Sequence, residues 1–62
     1  MYKVEKWSID EVKKGADYGY LNETDVKAVV KGYKLVDDDG IMKTYARSNG
    51  KCVYFATRIS EI

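Results

Sequence analysis

The sequence contains no histidine and no proline, and only one cysteine, Cys52. Without histidine the chain lacks the usual acid–base group near neutral pH and the commonest zinc ligand. Cys52, with no histidine partner and no evident basic nest, is expected to fill a strand position rather than act as a nucleophile. Ser8 and Ser48 read as cap and turn residues. Catalysis is therefore not expected, and no catalytic residue is assigned. A small secreted fold would carry an even set of cysteines as cross-links, so a lone thiol favours a reducing, cytoplasmic setting. No apolar run approaches the ~20 residues of a membrane span. Met1 to Trp7 alternates charged and apolar positions, unlike a signal peptide. The chain is thus expected to be a complete cytoplasmic protein with no membrane partner.

Other absences concern ligands. No glycine-rich loop leads from a strand into a helix with phosphate-binding spacing, so no cofactor is expected. Metal is not expected either. Asp37-Asp38-Asp39-Gly40 lacks calcium-loop spacing, and Ser48 stands where the closing glutamate belongs. This acidic run reads as a solvated hairpin turn, with Asp37, Asp38 and Asp39 as candidate contacts for a basic partner. The glycosylation pattern Asn22-Glu23-Thr24 carries no weight in a cytoplasmic setting. Eleven basic and ten acidic residues give a formal net charge of +1, which by itself points to neither nucleic acid nor membrane.

What is present is enough apolar residue, 45%, to order a chain of 62 residues as one domain spanning 1–62. Tyr2-Lys3-Val4-Glu5-Lys6-Trp7 alternates with period two and predicts a strand. Ser8-Ile9-Asp10-Glu11 has the form of a capping box, with Trp7 and Val12 placed as a hydrophobic staple and Gly15 as a stop. Together they predict a short helix. Gly15 to Tyr20 reads as a loop. Asn22 as cap, Asp25 in the first turn, and Val26, Val29, Val30 and Tyr33 at helical spacing predict a second helix ending near Gly32. The turn signals Asp37-Asp38-Asp39-Gly40 and Ser48-Asn49-Gly50-Lys51 then separate three strands, about Tyr33–Asp37, Ile41–Arg47 and Lys51–Ile59. The expected fold class is α+β, in the order β-α-α-β-β-β, with two short helices packed on one face of a twisted antiparallel sheet.

A loop at Asn49-Gly50 sets the last hairpin's register: Arg47 opposite Cys52, Tyr45 opposite Tyr54, and Lys43 opposite Ala56. On the other face Ala46 meets Val53, Thr44 meets Phe55, and Met42 meets Thr57. One face is apolar around Phe55, Val53 and Met42, and is expected to carry the core. The other carries Lys43, Tyr45, Arg47, Tyr54 and Arg58, and is expected to face outward. In the preceding hairpin an even-numbered loop would put Tyr33 and Leu35 on the core face, which buries more apolar area than the bulged alternative.

Six tyrosines are the most informative feature. Tyrosine suits strands and cross-strand pairs, but tyrosine with arginine is also enriched at binding hot spots. Tyr45 and Tyr54 among Lys43, Arg47, Arg58 and Lys34, with Tyr18 and Tyr20 in their loop, form the expected binding surface. Charge is uneven along the chain, +3 over residues 41–62 and −3 over residues 16–40, which would orient a charged partner. The expected function is a small non-enzymatic module that modulates or inhibits a larger protein partner, of a kind common among phage and mobile-element products. Single-stranded nucleic acid, stacking on the tyrosines, is the alternative, and a structural homodimer the second alternative. The expected state is monomer or homodimer. The helix-then-hairpin tail has a loose likeness to a winged helix-turn-helix, which fails because only two helices are expected and the loop between them is six residues rather than three or four.

Overall fold

A computed structural model describes residues 1–48 and 50–59. Its elements are β1 (Tyr2–Ser8), β2 (Lys13–Leu21), α1 (Glu23–Val29), β3 (Lys34–Asp38), β4 (Met42–Ala46) and β5 (Cys52–Arg58). The strands form one five-stranded sheet in the order β2-β1-β5-β4-β3, every pairing antiparallel. The arrangement is α+β, but its order is β-β-α-β-β-β with one helix, where the sequence predicted two.

The missing helix is a hairpin. Residues 9–12 form the four-residue connection between β1 and β2. The hydrogen bond that suggested a helix cap is made: the Glu11 N–H donates to Ser8 Oγ at 3.3 Å. That bond serves equally well in a hydroxyl-closed turn, and here it closes one. Ile9 N–H donates to the Lys51 carbonyl at 2.8 Å, which ties the hairpin tip to the start of β5. Gly15 to Tyr20, expected as a loop, lies inside β2. Two register shifts interrupt the β1–β2 ladder. At one of them Tyr18 has no partner between Asp17 and Gly19. Gly19, at φ 71°, supplies the left-handed backbone there.

The surviving helix follows its sequence signals. Asn22 Oδ1 accepts from the Asp25 N–H at 2.8 Å, and Glu23 and Asp25 lie in the first turn. Gly32, at φ 87°, ends the segment where expected. The helix packs over β1 and β2 and brings Val26 and Val30 into one buried cluster with Val4 and Ala56, which are fully buried. Tyr54 completes this core, with Tyr2, Leu21, Val29, Tyr33 and Tyr45 packed around it.

The last hairpin has the expected register from Met42–Thr57 through Tyr45–Tyr54 to Ala46–Val53. Arg47 lies just beyond the ladder, and its carbonyl accepts from the Gly50 N–H at 3.1 Å. Asn49 in this turn, and Glu61 in the charge count, lie outside the described residues. In the β3–β4 hairpin the register shifts at Val36, so Leu35 pairs with Tyr45. The bulged alternative is thus the one formed: Lys34, not Leu35, shares the face of Met42 and Phe55, and Leu35 lies beside Tyr45 on the helix-bearing face, half exposed at the sheet edge.

The assignment of faces is reversed. Tyr54 is 6% exposed and Tyr45 half-buried on the helix-bearing side. Phe55, Val53 and Met42 lie on the other face, which no helix covers among the described residues. Two causes combine. The helix expected between Trp7 and Gly15 does not form, and the helix that does form packs over β1 and β2, in one buried cluster with Val4, Ala56 and Tyr54.

Two stability outcomes follow. Val12 is 78% exposed at φ 51°, a conformation that costs a β-branched residue about 1–2 kcal/mol. Val12→Asn is expected to raise the unfolding free energy by about 0.5–1 kcal/mol in denaturant titrations, since asparagine tolerates this region. Asn22→Ala is expected to lower it by about 1 kcal/mol through loss of the cap.

Candidate functional site

In antiparallel strands, directly opposed residues point to the same face. The ladders therefore sort the side chains. Tyr2, Val4 and Lys6 of β1 share the helix-bearing face with Cys52, Tyr54, Ala56 and Arg58 of β5 and with Lys43 and Tyr45 of β4. Lys3, Glu5 and Trp7 share the open face with Val53, Phe55 and Thr57, and with Met42, Thr44 and Ala46. Lys34 and Asp37 of β3, and Lys14, Asp17 and Tyr20 of β2, extend the open face to both sheet edges.

Most of the tyrosine-and-cation set does converge, but around the core rather than on an outward surface. Tyr33 stacks edge-on against Tyr54 with ring centroids 4.8 Å apart, and Tyr18 tilts against the same ring at 5.9 Å. Three of the rings at this border have a cation over them: Lys6 over Tyr54 at 5.6 Å, Lys43 over Tyr2 at 5.2 Å, and the Arg47 guanidinium over Tyr33 at 5.6 Å. The long side chains lie along the apolar rings and keep their charge in water. Tyr2 holds the Lys43 ammonium above its ordinary pKa, chiefly by hydrogen bonding, against a smaller opposing effect of burial. Lys43, Arg58, Tyr2 and Asp38, with Gly40 and Ile41, line a hollow of about 180 Å³ at the end of this face. Burial pushes the Tyr54 phenol up to about 12, with further contributions from Tyr18, Tyr33 and Cys52.

The remaining sequence candidates separate. The bulge beside Gly19 sends Tyr18 to Tyr54 on the helix side, while Tyr20 lies opposite Lys3 on the open face, under the Lys3 ammonium at 5.6 Å. Lys34 is also on the open face, away from Lys43, Arg47 and Arg58. The acidic run is engaged in its own turn. Asp38 accepts from the Gly40 N–H, and Asp39 accepts from the Ile41 and Met42 N–H groups at 2.9 and 2.7 Å. The Met42 and Ile41 N–H groups hold the Asp39 carboxyl below its ordinary pKa. Among the described residues no three His, Cys, Asp or Glu side chains converge as metal ligands would.

The open face supplies what the sequence reading assigned to the core. Trp7 and Phe55 pack edge-to-face, with centroids 6.2 Å apart and planes at 77°. With Met42, Thr57 and Glu5 they line a shallow, mainly apolar depression of about 380 Å³. Its charges are paired. Trp7 Nε1 donates to Glu5 Oε1 at 3.0 Å, and Lys14 approaches Glu5 Oε2 at 3.4 Å. Asp17 meets Lys3 at 3.1 Å and Lys14 at 3.5 Å. The Trp7 hydrogen bond, then Lys14, hold the Glu5 carboxyl low. Asp17 is held low first by the Gly19 N–H and then by Lys3. The signal for this face was the alternation of Lys3, Glu5 and Trp7 against Tyr2, Val4 and Lys6, once β1 is placed beside β5.

No family model, curated protein or solved structure matches the chain.

The raised phenol has a pH consequence. Because the folded pKa lies above the ordinary tyrosine value near 10, the stabilising contribution is complete below about pH 10. It is lost as pH rises toward about 12, the folded value. Absorbance titration of the folded protein is expected to show one late-ionising phenol, absent in Tyr54→Phe. The denaturation midpoint of that variant should fall less steeply across the same window.

Proposed function

We propose that this protein is a small non-enzymatic binding module that docks onto a protein surface through the open sheet face centred on Trp7 and Phe55. The observation that carries the proposal is the pairing of those rings over an apolar depression on a face without a helix, with its neighbouring charges already neutralised. Interface cores are enriched in aromatic residues and methionine and depleted in unpaired charge. A catalytic role finds no support in a chain without histidine whose cysteine is unpaired with any base.

Nucleic acid is the weaker reading on either face. On the open face a phosphate chain would meet Glu5 at Trp7 and lysines engaged by carboxylates. On the other face the rings of Tyr2, Tyr33 and Tyr54 each have a cation over them and Tyr54 is packed in the core, which leaves bases a poorer platform to stack on.

Immobilised wild type, Phe55→Ser and Thr57→Lys test the proposal against a lysate of the source cells, with folding checked by circular dichroism. The expected outcome is a specific protein, foreign or a copy of this chain, retained by the wild type and lost from both variants, with no retention of oligo(dT). Equal retention by all three would overturn the proposal. So would single-stranded DNA binding that falls steeply with salt.

A further inference from the structure

We infer that the surface docked on this face is a second copy of the same chain, so that two sheets stack face to face across Trp7, Phe55 and Met42. The inference rests on the preceding functional reading and names its partner. A sheet apolar on both faces is stable when each is covered, and sheet-on-sheet packing is one standard solution. Here α1 covers one face; the other holds half-buried Trp7, Met42, Val53 and Phe55.

Charge separates a strongly charged foreign surface from a copy of this chain. The open face carries Lys3, Lys14 and Lys34 and an equal number of carboxylates, Glu5, Asp17 and Asp37. Lys3, Lys14, Glu5 and Asp17 are joined in one continuous set of ion pairs. A strongly charged partner would gain little from a face already neutralised. Two identical faces meet without net repulsion, and a two-fold operation presents the same self-complementary patch from both sides.

Area sets the strength. Five strands at about 4.8 Å spacing and five residues at about 3.4 Å rise cover a footprint on the order of 400 Å² in projection. Corrugated by side chains, that is roughly 600 Å² of accessible surface per copy, below the about 800 Å² of a standard interface. The association is accordingly weak, with a Kd on the order of 10–100 µM.

Trp7 is the sole tryptophan, so its fluorescence reports this face directly. Sedimentation equilibrium and acrylamide quenching of Trp7 are to be run on the wild type and on Thr57→Lys, from roughly 2 µM to roughly 500 µM. Thr57→Lys puts a charge and a longer side chain into the Trp7–Phe55 depression of each copy, with the fold checked by circular dichroism. The expected result is a twofold rise in mass with falling quenching in the wild type, and at least about tenfold weaker association in Thr57→Lys. Arg58→Glu, on the helix-bearing face, is expected to dimerise normally. A wild type that stays monomeric with Trp7 equally quenched throughout overturns the inference. So does self-association that Thr57→Lys leaves unchanged. A monomeric chain whose captured partner is still lost in Thr57→Lys would sink this inference while leaving the docking face in place.

Discussion

The packing of α1 against β1 and β2, which closes one buried cluster with Val4 and Ala56, governs the rest of the molecule. A seven-residue helix has too few turns to persist alone in water, so it depends on burying Val26 and Val30 against the sheet. Those valines share one buried cluster with Val4, Ala56 and Tyr54, and Tyr2, Tyr33 and Tyr45 pack against it. One short helix, over β1 and β2, covers only part of one face. That the Trp7–Phe55 face lies open, and that Leu35 is half exposed at the sheet edge, both follow from this single docking event.

Where the sequence could be read, local chemistry was decisive. Asn22 before Asp25 and Val26 marks a helix start, because the bond donated by the Asp25 N–H to Asn22 Oδ1 is followed by valines at helical spacing. The pairing of Met42–Ala46 with Val53–Thr57 follows from alternation and a turn near Gly50. The failures came where one local signal fits two structures. The Ser8–Glu11 bond is formed, but in a hairpin tip, because a hydroxyl three residues before an N–H closes a turn as readily as a helix. The alternation of Ala16, Tyr18 and Tyr20 was masked by Gly15 and Gly19, which read as loop but serve a strand and its bulge.

The reversal of the faces has a deeper origin. Register can be read from pairing alone, but which face is covered depends on where the helices go, which no strand pattern reveals. Tyrosine made the choice ambiguous, since it offers an apolar ring and a polar hydroxyl and can wall a core or face water. Lys6, Lys43 and Arg47 resolve it physically. Each holds its charged group over a ring, so residues that looked like a basic binding face form the border of the core.

Folding also rearranges the charge pattern on which a polyanion-binding reading depends. Along the chain, acidic and basic residues fall into separate blocks, which suggests a molecule with two poles. In space, β1 beside β2 brings Lys3 to Asp17 and Lys14 to Glu5, and the hairpin tip brings Asp10 to Lys51. These exposed pairs add little stability individually. Their consequence is the neutral border they place around Trp7 and Phe55. An aromatic patch ringed by free cations would attract phosphates and stack bases. The same patch ringed by satisfied ion pairs gains most from an apolar surface of matching shape, and loses little by giving up water to meet it.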